Sequence, residues 1–226
     1  MRKITLTILL LFITTSVMIA QKVGPDGSSP QGQNLQVPEG WEWRFDHSDT
    51  EVNVGSDPES SDVYFVNMTP GWHITTGPGG IYYHNENNVE GDYELNATLY
   101  LFDTEGRNRE AFGLFFGRAD LKNENQCYHN FLIRNTGEYL IKKRIGEETE
   151  SIQGWTKTEA MNLFTDQTEY SAQNDFKVKA SGDKLSFYLN GVELTTYDKS
   201  GFTTDGIYGL RVNHSINLHI SSLKVN

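Results

Sequence analysis

The chain has 226 residues, with 19 Lys and Arg against 30 Asp and Glu, for a formal net charge of −11. That acidity argues against general phosphate-backbone binding and against attraction to anionic lipid, because both need clustered cations. The single cysteine, Cys127, excludes an intramolecular disulfide, a cysteine-based zinc site and an iron–sulfur cluster, and is most simply a small buried hydrophobe.

Residues 1–20 have the layout of a signal peptide. Arg2 and Lys3 precede an apolar run from Ile4 to Ile13, and Ala20-Gln21 offers a cleavage point. Loss of this segment takes two cations with it and leaves 206 residues carrying −13. No second apolar run is long enough to cross a bilayer. The expectation is a soluble protein, secreted or periplasmic, with no membrane insertion after processing and no nucleic-acid partner. Residues 21–40 are rich in Gly, Pro, Ser and Gln without apolar periodicity, and predict a flexible leader. From residue 41 to 226 one domain is the economical count.

The first stretch of that domain holds its prolines, the last being Pro78. Segment 68–90, with Gly77-Pro78-Gly79-Gly80, predicts loops. In residues 93–101 Tyr93, Leu95, Ala97, Leu99 and Leu101 alternate with polar neighbours, as a half-buried strand requires. Residues 111–117, AFGLFFG, are apolar on both parities and suit a central strand covered on both faces. Residues 127–134 and 138–145 predict a pair turning at Asn135-Thr136-Gly137. Residues 156–170 look weakly helical around Glu159-Ala160-Met161. Phe176, Val178 and Ala180 alternate with lysines, and Leu185, Phe187 and Leu189 run into Asn190-Gly191, which supplies the positive φ angles of a type I′ hairpin. Tyr208, Leu210 and Val212, then Leu218 and Ile220, mark two last strands, with a bulge near Ser221-Ser222 where the apolar phase slips. The sum is an all-β protein: a two-sheet antiparallel jelly-roll sandwich with little helix.

Several segments carry a resemblance. Gly71-Trp72-His73-Ile74 is followed by Gly91-Asp92-Tyr93-Glu94-Leu95, the glycine-bearing strand Phe112-Gly113-Leu114-Phe115-Phe116-Gly117 and Trp155. After these come Asn174-Asp175-Phe176-Lys177-Val178, the asparagine–glycine hairpin, and Gly206-Ile207-Tyr208-Gly209-Leu210. This order resembles the concanavalin A-like lectin/glucanase superfamily. It is most similar to the secreted bacterial branch of laminin-G-like and 3-keto-disaccharide hydrolase (DUF1080-type) domains. The resemblance covers about residues 41–225 and implies the sandwich and a carbohydrate-related role. Its motifs are structural, so function rests on individual sites.

Glu90, Asp92 and Glu94 follow the pattern E-x-D-x-E. Alternate residues of a strand share a face, so the outer pair could flank a glycosidic bond, given local twist. This resembles the catalytic strand of family 16 glucanases, although Gly91 stands where that family has an aliphatic residue. A solvated strand start is the other reading. Trp72, Tyr82 and Tyr83 offer rings for stacking on sugar C–H faces. Tyr128, Asn130 and Arg134 share the more polar parity of one strand, while Glu110 and Arg118 cap the central strand. If that face lines the concave side of the sandwich, these residues form a ligand-binding groove; otherwise the rings are packing. His129 shares its parity with Cys127, Phe131 and Ile133 and reads as interior. Asp57, Glu59 and Asp62 are calcium candidates, a structural ion in this fold, although the ordered EF-hand spacing is absent and a solvated acidic loop explains them too. No other cofactor is expected, since no Walker loop, dinucleotide fingerprint or G-x-S-x-G elbow occurs. The leading expectation is a sandwich that binds a glycan or a cell-envelope component without catalysis. A glycoside hydrolase and a structural or protein-interaction module are the alternatives.

Overall fold

The computed structural model describes residues 35–47, 51–117 and 120–226. The expected signal segment, residues 21–34 of the expected leader, and Arg118 lie outside the described residues. Among the described residues fifteen strands follow one another, beginning with β1 (Trp41–Phe45), β2 (Val54–Gly55), β3 (Val63–Asn67), β4 (Trp72–Thr76), β5 (Gly80–Val89), β6 (Tyr93–Leu101), β7 (Ala111–Phe116) and β8 (Cys127–Arg134). The remainder are β9 (Glu138–Ile145), β10 (Glu148–Lys157), β11 (Ala172–Ser181), β12 (Lys184–Leu189), β13 (Val192–Asp198), β14 (Gly206–Val212) and β15 (Asn217–Val225). Among the described residues the sole helical element is a single 3₁₀ turn at Lys199–Gly201.

Two sheets result. The front sheet has seven strands in the order β1-β5-β14-β7-β8-β9-β10, and the back sheet has eight in the order β13-β12-β11-β6-β15-β4-β3-β2. Pairing is antiparallel except for β2 and β3, which run parallel at Val54↔Val63. Chain neighbours often separate, so that β14 lies between β5 and β7, and β15 between β4 and β6. Both sheets are therefore closed by strands from the chain's end.

Alternation places the core. Phe112, Leu114 and Phe116 of β7 and Phe131 and Ile133 of β8 meet Phe176, Val178 and Phe187 of the back sheet. Phe131 packs edge-to-face on Phe176 and Phe187 at centroid separations of 5.3 and 5.4 Å. Each such buried ring contributes about 1.5–3 kcal/mol relative to leaving it exposed. The hairpin β12–β13 turns on Asn190 (φ 50°) and Gly191 (φ 81°), the two left-handed positions of a type I′ turn. In β15 the register shifts between Ile220 and Ser222, the bulge that the phase slip called for.

Two local expectations change. Segment 68–90 consists largely of β4 and β5 and is not loop-rich. The weakly helical stretch 156–170 forms no helix, because asparagine side chains take its backbone groups. Asn190 Nδ2 donates to the Ala160 carbonyl, the Asn162 amide donates to Asn174 Oδ1, and the Phe164 amide donates to Asn135 Oδ1. A helical ladder would need those same groups.

Candidate functional site: the outer face of the front sheet

Each front-sheet strand sends alternate side chains away from the core. Across the sheet, Glu42, Tyr83, Gly209, Phe115, Asn130 and Lys142 stand in one register row. Beside it, Arg44, Ile81, Arg211, Gly113, Leu132 and Leu140 form the next. Such a face would ordinarily be solvated. Here Tyr83, Phe115 and Tyr128 are almost completely buried and pack edge-to-face in series, with centroids 6.1 and 5.3 Å apart. Gly209 makes room for them, since a Cβ there would lie 2.2 Å from the Tyr82 carbonyl oxygen and 2.7 Å from the Phe115 ring.

Leu121, from the loop between β7 and β8, joins this ring cluster. Arg44 fastens the loop, its Nη1 donating to the carbonyls of Leu121 and Asn123 at 2.9 and 2.8 Å. A cavity of about 360 Å³ opens beside it, lined by residues that include Glu42, Tyr83, Asn85, Asp120 and Asn123. At the opposite end of the face Leu132, Leu140 and Ala111 form a second apolar patch with half-buried Trp155. The Arg134 guanidinium lies 4.1 Å from the Trp155 ring centroid, a cation–π contact.

Charged groups fill the middle. Arg211, 6% exposed, makes a bidentate pair with Asp46 at 2.7 and 2.6 Å and also donates to Asn213 Oδ1. Burial pushes the Asp46 carboxyl up, but the hydrogen-bonded Arg211, aided by Arg144 and Lys142, holds it below the usual range. Lys142 shares the surroundings of Asp46, Arg211 and Arg144. Its pKa falls to about 8, chiefly through burial and then through repulsion by Arg211, partly offset by Asp46. Among the described residues Lys142 has neither an ion pair nor a hydrogen bond. Its register partner Asn130 is 1% exposed, and the Asn130 Oδ1 atom has no hydrogen-bond partner. A buried amide oxygen without a donor costs about 1–3 kcal/mol, so Asn130 is an uncommon feature in a folded chain.

Glu42 and Glu138, like Asp46, are held by cations. Glu42 sits 2.7 Å from Lys122 and accepts from Asn85, and its pKa is lowered first by Lys122 against the effect of burial. Glu138 is bound by Thr136 and Arg134, and its pKa is lowered as well.

The sequence candidates divide between this face and other places. Tyr83, Tyr128, Asn130 and Arg134 share the face. Tyr82 and Trp72 belong to the core: Tyr82 is fully buried on the inner side, and Trp72 packs on Trp41 with centroids 4.8 Å apart. Glu110 precedes β7 at the sheet's edge, 3.8 Å from His214. Glu90 and Asp92 are exposed at the turn into β6, where Asp92 accepts from the Gly182 amide. Glu94 lies on the outer face of the back sheet, between Lys179 at 2.9 Å and Lys177 at 3.2 Å. Asp57 closes its own turn by accepting from the Glu59 amide and Ser60 Oγ, while Asp62 accepts from the Asn53 amide and Glu59 is exposed. No group of three His, Cys, Asp or Glu among the described residues is arranged to hold a metal ion. His129 stacks on Phe116 inside the sandwich, and burial takes its pKa down to about 4.

Asp46, Lys142, Arg144, Trp155 and Arg211 were not among the sequence candidates. A signal existed for three of them. Lys142 and Arg144 share the parity opposite Ile141 in β9, and Arg211 stands alone between Leu210 and Val212 on the parity opposite the core. Asp46 follows the end of β1 and has no such pattern.

No protein-family model matches the sequence, and no curated protein does. Solved structures do match in fold. The carbohydrate-binding module CBM66 from Bacillus subtilis aligns with a TM-score of 0.56 at 14% identity, over 81% of this chain and 94% of that one. A mixed-linkage-glucan GH16 protein from Bacteroides ovatus, in complex with a G4G4G3G product, gives 0.55 at 12% identity over 85% and 97%. An endo-β-1,3-glucanase from Pyrococcus furiosus gives 0.51 at 10% identity over 85% and 90%. At these identities the likeness shows the fold alone, a two-sheet jelly-roll sandwich.

Proposed function

We propose that the chain is a carbohydrate-binding module, secreted or periplasmic, that holds a glycan on the outer face of its front sheet without cleaving it. One observation carries this reading: the outer face of the front sheet combines the half-buried Trp155 ring with charged side chains and with Asn130, whose amide oxygen has no hydrogen-bond partner. Sugars need that combination, because their C–H faces stack on rings while their hydroxyls exchange hydrogen bonds with amides and charged side chains. The structures sharing the fold include one named for carbohydrate binding and two named for glucan chemistry, which supports a sugar ligand by analogy. The layout of residues 1–20 supports export.

Binding is favoured over cleavage by the carboxylates. A glycosidase needs one carboxyl group with a raised pKa to protonate the leaving group. Glu42, Asp46 and Glu138 are instead each ion-paired and lowered. A glycan array of plant, algal and bacterial oligosaccharides tests the reading. The processed chain should bind at least one class without shortening it, and Trp155→Ala should weaken that binding roughly tenfold or more. Silence across the array, or cleavage of the bound glycan, would overturn it.

A further inference from the structure

We infer that the ligand of this face is an acidic oligosaccharide, its carboxylate or sulfate ester seated between Lys142, Arg144 and Arg211 beside Asn130. The inference rests on the glycan-binding reading and adds the chemical class.

Hydrogen-bonding capacity is left unfilled on this face. In the middle of the face three cations from β9 and β14 share one carboxylate, Asp46, and that carboxylate spends both oxygens on Arg211. Arg144 uses its Nε on the Gly146 carbonyl 2.5 Å away, which fixes the guanidinium in place. Lys142 is left partly buried without an acceptor, and repulsion from Arg211 and Arg144 disfavours its charge. The acidic group acting on this ammonium is Asp46, and its two carboxylate oxygens are bound by Arg211. An anionic group arriving there would give Lys142 its acceptor and relieve the repulsion. Charge-assisted bonds of this kind are about twice as strong as neutral ones. A neutral sugar hydroxyl can satisfy Asn130, but leaves three cations facing one carboxylate.

The Asp57 carboxylate is closed by its own hydrogen bonds from the Glu59 amide and Ser60 Oγ, and the unpartnered ring nitrogens of His129 lie inside the sandwich, where the ring stacks on Phe116. Around β6 and β11 the outer face of the back sheet is closed on itself, with Glu94 between two lysines and Thr98 donating to Asp175. The unfilled positive site is on the front sheet.

Calorimetric titration of the full processed chain separates the possibilities. The probes are an oligogalacturonate and an oligomannuronate, a sulfated galactan oligosaccharide, and their carboxyl-reduced or desulfated counterparts. At least one acidic chain should bind roughly tenfold tighter than its neutral counterpart. The member of the pair that binds identifies carboxylate or sulfate as the anion. Lys142→Met should bring the ratio close to one. Asn130→Asp, which offers Lys142 a carboxylate of the protein's own, should do the same while leaving the melting temperature intact. Equal or tighter binding of the neutral counterparts would overturn the acidic-ligand inference and leave the glycan-binding reading standing. No binding to any of these probes together with a silent glycan array would overturn both.

Discussion

The two sheets present outer faces built on the same alternation, yet they satisfy their polar groups in opposite ways. Around β6, β11 and β12 the back sheet shows Glu94, Thr98, Asp175, Lys177, Lys179 and Tyr188, and these pair with one another across the strands. Glu94 bridges both lysines, Thr98 donates to Asp175 at 2.7 Å, and Tyr188 donates to Glu193 at 2.7 Å. These side chains are half exposed, so water completes whatever the neighbours leave. The front sheet buries rings on its outer side and keeps Asn130 there with an unpartnered oxygen, beside the half-buried and unpaired Lys142. A polar face that is exposed and paired costs little and needs nothing. One that is sheltered and unpaired is destabilising by itself, and such cost is retained where a ligand repays it.

The largest expected effect comes from breaking the one complete pair on the front face. Asp46→Ala leaves the Arg211 guanidinium, 7% exposed, without its carboxylate. Removing one partner of a buried pair costs about 3–5 kcal/mol. Urea denaturation should show the midpoint falling accordingly with little change in slope. A loss below about 1 kcal/mol, the range of exposed pairs, would mean that the two outer faces are equally solvated.

The back sheet has one buried corner that qualifies the contrast. His73 on β4 is 1% exposed, packed beside Tyr64 of β3, Phe102 and His219 of β15. Burial first, and then the neighbouring His219, take its pKa from 6.5 to about 4, while Asn217 opposes the shift. The unfolded chain binds this proton near pH 6.5, whereas the fold resists it until about pH 4. Stability is therefore whole above 6.5 and declines as pH falls through that window, by up to about 3 kcal/mol. Comparing denaturation at pH 7 and pH 4 for the native chain and His73→Gln should show the acid loss shrinking in the variant. An unchanged loss would assign the acid sensitivity elsewhere.

The sandwich was legible because period two is written into the strands: the alternation of 93–101, the doubly apolar 111–117 and the Asn190-Gly191 turn each depend on near neighbours. The site was legible only in part. Parity placed Tyr128, Asn130 and Arg134 on one polar face, but parity alone does not say which side of a strand meets the other sheet. Trp72 and Tyr82 illustrate the limit, since a ring in a glycine-rich segment reads the same whether it faces sugar or core. Asp46 and Arg211 meet across 165 positions of chain, and Lys142 joins them from a third region. That convergence comes from strand order, which places β14 beside β5 and two strands from β1. No local pattern encodes it. The 156–170 stretch failed for a related reason, because its competing partners Asn135, Asn174 and Asn190 lie elsewhere in the chain.

A third effect concerns the charge at the unfilled site. Lys142 faces Arg211 from β14, Asp46 beyond β1, Arg144 on its own strand, Tyr128 and Asn130 from β8 and Ser151 of β10. Burial raises the Tyr128 hydroxyl, so it stays neutral and adds no charge in the working range. With the ammonium titrating at about 8, raising the pH beyond that value neutralises it in the free protein. Affinity for an acidic oligosaccharide should then decline by up to tenfold per pH unit, about 1.4 kcal/mol, while the neutral counterpart is unaffected. Titrations at pH 7 and pH 9 decide it, and parallel behaviour of the two ligands would remove Lys142 from the anion's contacts.

The smallest effect is expected where the carboxylate pattern was most suggestive. Glu94 belongs to the E-x-D-x-E strand, but its side chain is 31% exposed and its charge is shared by Lys177 and Lys179, each more exposed still. Those two lysines lower its pKa, the reverse of what a proton donor to a glycosidic oxygen requires. Glu94→Gln should therefore change stability by less than about 1 kcal/mol, as an exposed ion pair would. The change should also leave glycan affinity where it was, because β6 is in the other sheet and its outer side points away from the front-face groups. Melting curves and titration with the ligand found on the array measure both quantities. A glycan affinity abolished by this substitution would transfer the binding site to the back sheet, and the contrast between a paired, solvated face and an unpaired, sheltered one would no longer mark where the ligand sits.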